Sequence, residues 1–204
     1  MQGDREFMLS FFLDLDKGIG KKYPEAKLSA CILGGCFFVL HSLRENSPDI
    51  DLIISDSTSY RIITEIGTPL AKEKGITLDL MYGTTMNKVN LPENYLKFTK
   101  PLKREKGKRK HLLLLTMSPY HVLTSKISRY SEKDKNDINL IMTSNKFKIR
   151  KKEFEKSLKN FKPNQTKQTF EKNLKDFYEK YEKYLVLSWW EKLGLHKPIP
   201  ELKE

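Results

Sequence analysis

Residues 34–56 read GGCFFVLHSLRENSPDIDLIISD. Two glycines open a short apolar run, and after thirteen intervening residues Asp49 and Asp51 flank Ile50 at the mouth of a second one. In an extended chain, alternate side chains share a face. Asp49 and Asp51 therefore project together, and Ile50 points the other way. Placing carboxylates beside Leu52, Ile53 and Ile54 is costly unless water or positive charge compensates them. The pair either ends a strand in water or holds a metal. Divalent cations take oxygen ligands of this kind.

The flanking sequence supplies a frame for the pair. KLSACIL (27–33) predicts a strand that turns sharply at Gly34-Gly35 into a short helix over CFFVLHSLR (36–44). DIDLIIS (49–55) predicts a second strand. The cluster DSTS (56–59) opens a helix that runs to Gly75, and ITLDLMYG (76–83) predicts a third strand with Asp79 inside it. A helix over residues 4–22, carrying Phe7, Leu9, Phe11, Phe12 and Leu15, precedes them all. The first 83 residues thus read αβαβαβ. If the second and third strands are neighbours, Asp79 joins Asp49 and Asp51, and three carboxylates can bind Mg²⁺ with places left for phosphate oxygens and water.

Further along, LKFTKPLKR (96–104) and HLLLLTMS (111–118) predict a strand pair around a basic tip, with Pro101 confining the first to an edge. Ser118-Pro119 opens a helix to about Tyr130, KDKNDINLIMTS (133–144) suggests another, and residues 147–190 are helical and charged with a break at Pro163-Asn164. The expected fold is α/β: a mixed sheet flanked by helices (residues 1–117), followed by a C-terminal helical bundle (118–204).

The chain has 204 residues, 38% of them apolar, which is enough for a sizeable core. No apolar run approaches a membrane span, and Asp14 and Asp16 interrupt the apolar N-terminal stretch. A cytoplasmic protein is expected, with Cys31 and Cys36 as reduced buried thiols. The four histidines show no metal-ligand spacing. The net charge of +12 favours an anionic partner, nucleic acid ahead of a membrane surface. Eight Lys or Arg against one Glu crowd residues 97–110. Lys103, Arg104, Lys108 and Arg109 are the candidate contacts to a phosphate backbone.

The GG…DID spacing, with LD on a later strand, resembles the polymerase-beta-type nucleotidyltransferase superfamily. HSLRENSPDIDL (41–52) and MSPYHVLTSKISRYSEKDKNDINLIM (117–142) are similar to a bacterial branch that includes abortive-infection and toxin-antitoxin nucleotidyltransferases. The resemblance covers roughly residues 28–142. It implies that Gly34 and Gly35 cradle the phosphates of an NTP at a helix start. Asp49, Asp51 and Asp79 would be the metal-binding and catalytic acids, and Mg²⁺ or Mn²⁺ the cofactor. Lys126 would contact the triphosphate, with Arg129, Asp134 and Asp137 shaping the pocket. Cys36 and Arg44 belong to the same nucleotide-binding set. Cys36 stands where many members carry a serine that also binds phosphate, so only backbone donors remain there, and Ser42 stands where glycine is common.

The residues alone leave alternatives open. Lys126 and Arg129 suit a solvated helix face as well as a clamp, and Asp134 and Asp137 suit capping. The activity implied is transfer of a nucleoside monophosphate to an acceptor hydroxyl, on RNA and tRNA in particular. A protein substrate and a cognate antitoxin are the other partners to weigh. The same fold with a disabled site would be a nucleic-acid- or protein-binding module. The glycine turn is expected to face the aspartates across a cleft.

Overall fold

The computed structural model describes residues 2–83, 91, 95–102, 109–159, 161–162 and 165–187. Lys103, Arg104 and Lys108 of the basic tip lie outside these residues, as do Pro163-Asn164 and everything beyond Leu187.

The chain opens with a two-residue strand, β1 (Gly3–Asp4), and helix α1 (Arg5–Lys22). Asp4 caps the helix by accepting the Phe7 N–H at 2.8 Å. Met8, Phe11, Phe12, Leu15 and Ile19 recur at helical spacing on its buried face. Then follow β2 (Leu28–Ile32), α2 (Gly34–Leu40), β3 (Asn46–Ser47), β4 (Asp49–Ile54), α3 (Ser57–Glu73) and β5 (Thr77–Tyr82). Asp56 caps α3 through the Ser59 N–H, 2.7 Å away. Strands β6 (Thr99–Pro101) and β7 (Leu112–Met117) complete the sheet. Helices α4 (Pro119–Arg129), α5 (Glu132–Thr143), α6 (Lys151–Lys159) and α7 (Lys167–Tyr181) form the C-terminal part.

Five strands make one mixed sheet in the order β5-β4-β2-β7-β6. Strand β4 runs parallel to β5 and antiparallel to β2, β2 runs parallel to β7, and β6 is antiparallel to β7. Pro101 sits on the edge strand, where its missing N–H costs no ladder bond. One buried apolar cluster runs from Phe11 and Phe12 through Phe37, Phe38, Ile50 and Leu52 to Phe154 and Phe177. The α/β layer and the helical layer therefore share a core.

Two placements matter for the site. Strands β1 and β3 pair as a short antiparallel ribbon, Gly3 opposite Ser47 and Asp4 opposite Asn46, which fixes the chain just before Asp49. No pattern in the sequence announces two-residue strands. The second is the basic hairpin. Leu112 is level with Leu28 at the start of β2, and Thr116 is level with Ile32 at its end. The β6–β7 connection therefore leaves the sheet at the end opposite the glycine turn, about 13 Å away at ~3.3 Å per residue. Buried Asp16 clamps its return by accepting the N–H groups of Lys110, His111 and Leu112 at 3.1, 2.7 and 2.7 Å.

Candidate active site

The parallel register of β4 and β5 sets Asp51 opposite Asp79, and Asp49 lies two residues before Asp51 on the same face. One carboxylate oxygen from each of the three lies within 4.8 Å of the others. Asp79 is exposed, whereas Asp49 and Asp51 are half-buried. Among the described residues, no other trio of His, Cys, Asp or Glu could hold a metal ion.

The antiparallel pairing of β2 with β4 brings the end of β2 to this place. The Leu33 N–H donates to the Asp51 carbonyl at 3.0 Å, and the chain then turns at Gly34 with φ +51°. A Cβ on Gly34 would run into the Asp51 carboxylate, and one on Gly35 into the Ser47 hydroxyl. The expectation of a cleft between turn and aspartates is corrected: the glycines pack directly on the acids. They are glycine because the carboxylates occupy the space a side chain would need. The Gly35 N–H donates to Asp51, and the Ser47 hydroxyl donates to Asp49 Oδ1 at 2.8 Å. Gly34→Ala should therefore displace Asp51 and, through the left-handed φ alone, cost roughly 1–2 kcal/mol. Chemical denaturation of the variant checks the stability loss, and a transfer assay checks the loss of activity.

Burial, and then repulsion from Asp49 and Asp79, pushes the Asp51 carboxyl up to about 6. The Gly35 N–H and Lys133 pull it down, but less strongly. No described lysine or arginine lies within ion-pair distance of any of the three acids. A divalent cation would relieve this repulsion, so the donor set fits one. The raised Asp51 value predicts a pH dependence for the metal-free protein. The native state takes up a proton near pH 6, the unfolded chain only near 4, so stability should rise as pH falls between those values, by at most about 3 kcal/mol. Urea melts across pH 4–7 in a chelator check this, and Asp51→Asn should flatten the profile.

Above the acids lies a cavity of about 380 Å³. Gly34, Gly35, Asp49 and Asp51 line it together with Lys126, Arg129 and Lys133, and Met81, Leu91, Met117 and Val122 supply an apolar part. Lys126 is not on a solvated face. Its side chain is 9% exposed, with Nζ 3.0 Å from Asp134 and 2.6 Å from Asp137. Arg129 grips Asp134 through two nitrogens, and Arg44 pairs with Asp137. Both Arg44 and Lys126 also lie over the Phe38 ring. Burial raises the Asp134 carboxyl, but Arg129, Ser131 and Lys126 together outweigh it and hold the group down at about 2. Ser131 and Asp134 close a capping box at the start of α5. Asp134 thus caps the helix and also faces the cavity.

Of the other expected residues, Cys36 is wholly buried, its thiol pushed well up by burial and then by Asp51 and Asp49. Arg44 and Asp137 do not line the cavity; they brace Lys126. Arg109 stands at the far end of the sheet, its Nε donating to the Leu112 carbonyl at 3.3 Å. Sequence reasoning missed Ser47 and Lys133. Lys133 left a weak signal, a lysine beside Asp134 in the block that holds Lys126; Ser47 left none, because its strand is too short to show a period.

Residues 11–186 match the model of a family described as a nucleotidyltransferase of unknown function (DUF6036). No curated protein and no solved structure matches the chain significantly. Among the described residues, no helix is long and apolar enough to cross a membrane. The matched span contains the glycine turn, the three aspartates and the cationic wall, and the chain belongs to this family of nucleotidyltransferases of unknown function.

Proposed function

We propose that this chain transfers a nucleoside monophosphate from an NTP to a hydroxyl on an RNA acceptor, tRNA foremost, with Mg²⁺ or Mn²⁺. The observation that carries this reading is the convergence of Asp49, Asp51 and Asp79 beneath a glycine turn and a wall of cations. Asp49, Asp51 and Asp79 would hold the divalent ion. When bound, it would neutralise phosphate charge and make the α-phosphate more electrophilic.

The protein's own groups do the rest. No side chain caps α2, so the N–H of Gly34, which lines the cavity, is available to a phosphate oxygen. The helix is short, so this donor acts as an individual hydrogen bond more than through a summed dipole. Lys126, Arg129 and Lys133 counter the triphosphate charge from the opposite wall. The apolar part of the cavity, Met81, Leu91, Met117 and Val122, receives the base. Asp79, the most exposed of the acids, takes the proton of the incoming hydroxyl or completes the ligand set. In this division residues 1–117 supply the acids and 118–204 the cationic wall.

An anionic acceptor suits the +12 net charge. A cytoplasmic toxin-antitoxin or phage-defence component would use such an activity, with an antitoxin as partner. The test is incubation with each labelled NTP, Mg²⁺ and total RNA. Label on RNA is the expected result. Label on the protein would move the acceptor to a protein hydroxyl. RNA binding unchanged in EDTA, with no nucleotide binding, would leave a binding module.

A further inference from the structure

A second cavity, of about 590 Å³, lies beside the first and shares Met117 with it. That volume falls within the range of roughly 300–1,000 Å³ usual for sites that hold nucleotide-sized ligands. Its charged side chains are all cationic: Arg5 from α1, Lys100 from β6 and Lys146 from the segment after α5. Among the described residues, no carboxylate lines it, and none of these three cations is in an ion pair. Aromatic groups line it as well, namely His41, Tyr120 and Phe147. His41 is fixed, with Nε2 2.9 Å from Thr116 Oγ1 and its ring 5.3 Å from that of Phe147. Burial, and then Arg5, hold its imidazole down at about 4, so it is a neutral ring at physiological pH.

We infer that this cavity binds a single-stranded RNA segment, with Arg5, Lys100 and Lys146 on its phosphodiesters and the aromatic groups against a base. The inference rests on reading the neighbouring cavity as the nucleotidyl-transfer site, and it gives the acceptor strand a place next to that site. The chemistry argues against a second NTP. A triphosphate travels with a divalent ion and wants carboxylates nearby, and among the described residues this cavity has none. Phosphodiesters carry one charge each and are met by separate cations and π faces. Position argues the same way. Arg109 stands at the far end of the sheet, whereas Lys100 and Thr116 lie level with Ile32, two residues before the glycine turn. The second cavity is where RNA can reach the acids.

The experiment is fluorescence anisotropy of a labelled single-stranded RNA on the full chain in EDTA, where transfer is silent. The Lys100→Ser, Lys146→Ser double variant should bind on the order of tenfold more weakly at low salt, with the salt slope flatter by about 1.4. A control with the same charge change at exposed sites on α1 and α3, Lys21→Ser with Lys72→Ser, should bind as the wild type does. A photoactivatable 4-thiouridine in the RNA should cross-link to peptides holding Tyr120 or Phe147. Unchanged binding by the test variant, an equal loss in both variants, or cross-links confined to residues 103–110 and 151–181 would each overturn the inference. Melting shifts with NTP and Mg²⁺ should be the same in the test variant and the wild type. If the wild type shows no such shift, the transfer reading falls while the RNA result stands by itself.

Discussion

Lys126→Met should cost about 3 kcal/mol of folding stability, because it leaves two buried carboxylates short of their shared cation. Asp134 and Asp137 are only 4% and 2% exposed, so water cannot take the place of the ammonium. The loss is held to that size because Arg129 still grips Asp134 and Arg44 still pairs with Asp137. Methionine matches the lysine stem in length, so packing against Phe38 is largely kept. Equilibrium denaturation at pH 7 measures the effect. The pH dependence has a defined sign: Asp134 is held below its unfolded value, so its contribution is full above about pH 4 and is lost as pH falls towards 2. This window lies below that of Asp51, and the two effects are separable. Combining Lys126→Met with Asp137→Asn should cost less than the sum of the single changes, since the two groups touch.

The largest effect on activity is expected from Asp49→Asn with Asp51→Asn. Removing the charge that holds a divalent ion should cost several kcal/mol at the transition state, on the order of a thousandfold in transfer rate. Stability should move the other way. The two carboxylates repel each other and Asp79, and Asp51 is further penalised by burial. The amides keep the size and the hydrogen-bonding reach, so the metal-free variant should be as stable as the wild type or slightly more so. A purely structural role for the acids predicts the reverse: if their charge strengthens the bonds that Asp51 accepts from the Gly35 N–H and Asp49 from the Ser47 hydroxyl by more than the repulsion costs, the amides should lose roughly 1–3 kcal/mol.

What the sequence revealed divides along the range of the interactions involved. The order of elements through Tyr82 apart from the two-residue strands β1 and β3, the turn at Gly34-Gly35, the edge position of Pro101, the Asp56 cap and the start of α4 at Ser118-Pro119 all follow from local patterns. The shared face of Asp49 and Asp51 needs only the period of a strand. That Asp79 joins them depends on β4 and β5 being neighbours, a non-local pairing that the spacing allows and does not dictate. The antiparallel run of β2 against β4, which drives the glycines onto the acids, is likewise invisible in one dimension.

In the sequence Lys126 and Arg129 read as a solvated helix face as well as a clamp, and Asp134 and Asp137 as capping or intrahelical residues. Only the packing of α4 on α5, with Arg44 closing the far side, shows them as one buried ion-paired group. The basic segment is a like case: its composition predicts phosphate contact, and only the register shows that β6 and β7 flank it at the end of the sheet away from the glycine turn.

The most direct test of the central claim, that Asp49, Asp51 and Asp79 form a metal-dependent nucleotide site, is a thermal melt of the wild type and of the Asp49→Asn, Asp51→Asn variant. Each is run in EDTA and with Mn²⁺ plus an NTP. Binding to the native state alone should raise the wild-type melting temperature, by an amount equivalent to about 2.7 kcal/mol at a hundredfold excess over Kd. The variant should show no such shift and should melt in EDTA at or above the wild-type temperature. A wild type indifferent to metal and nucleotide, together with a variant that melts lower in EDTA, would contradict the account.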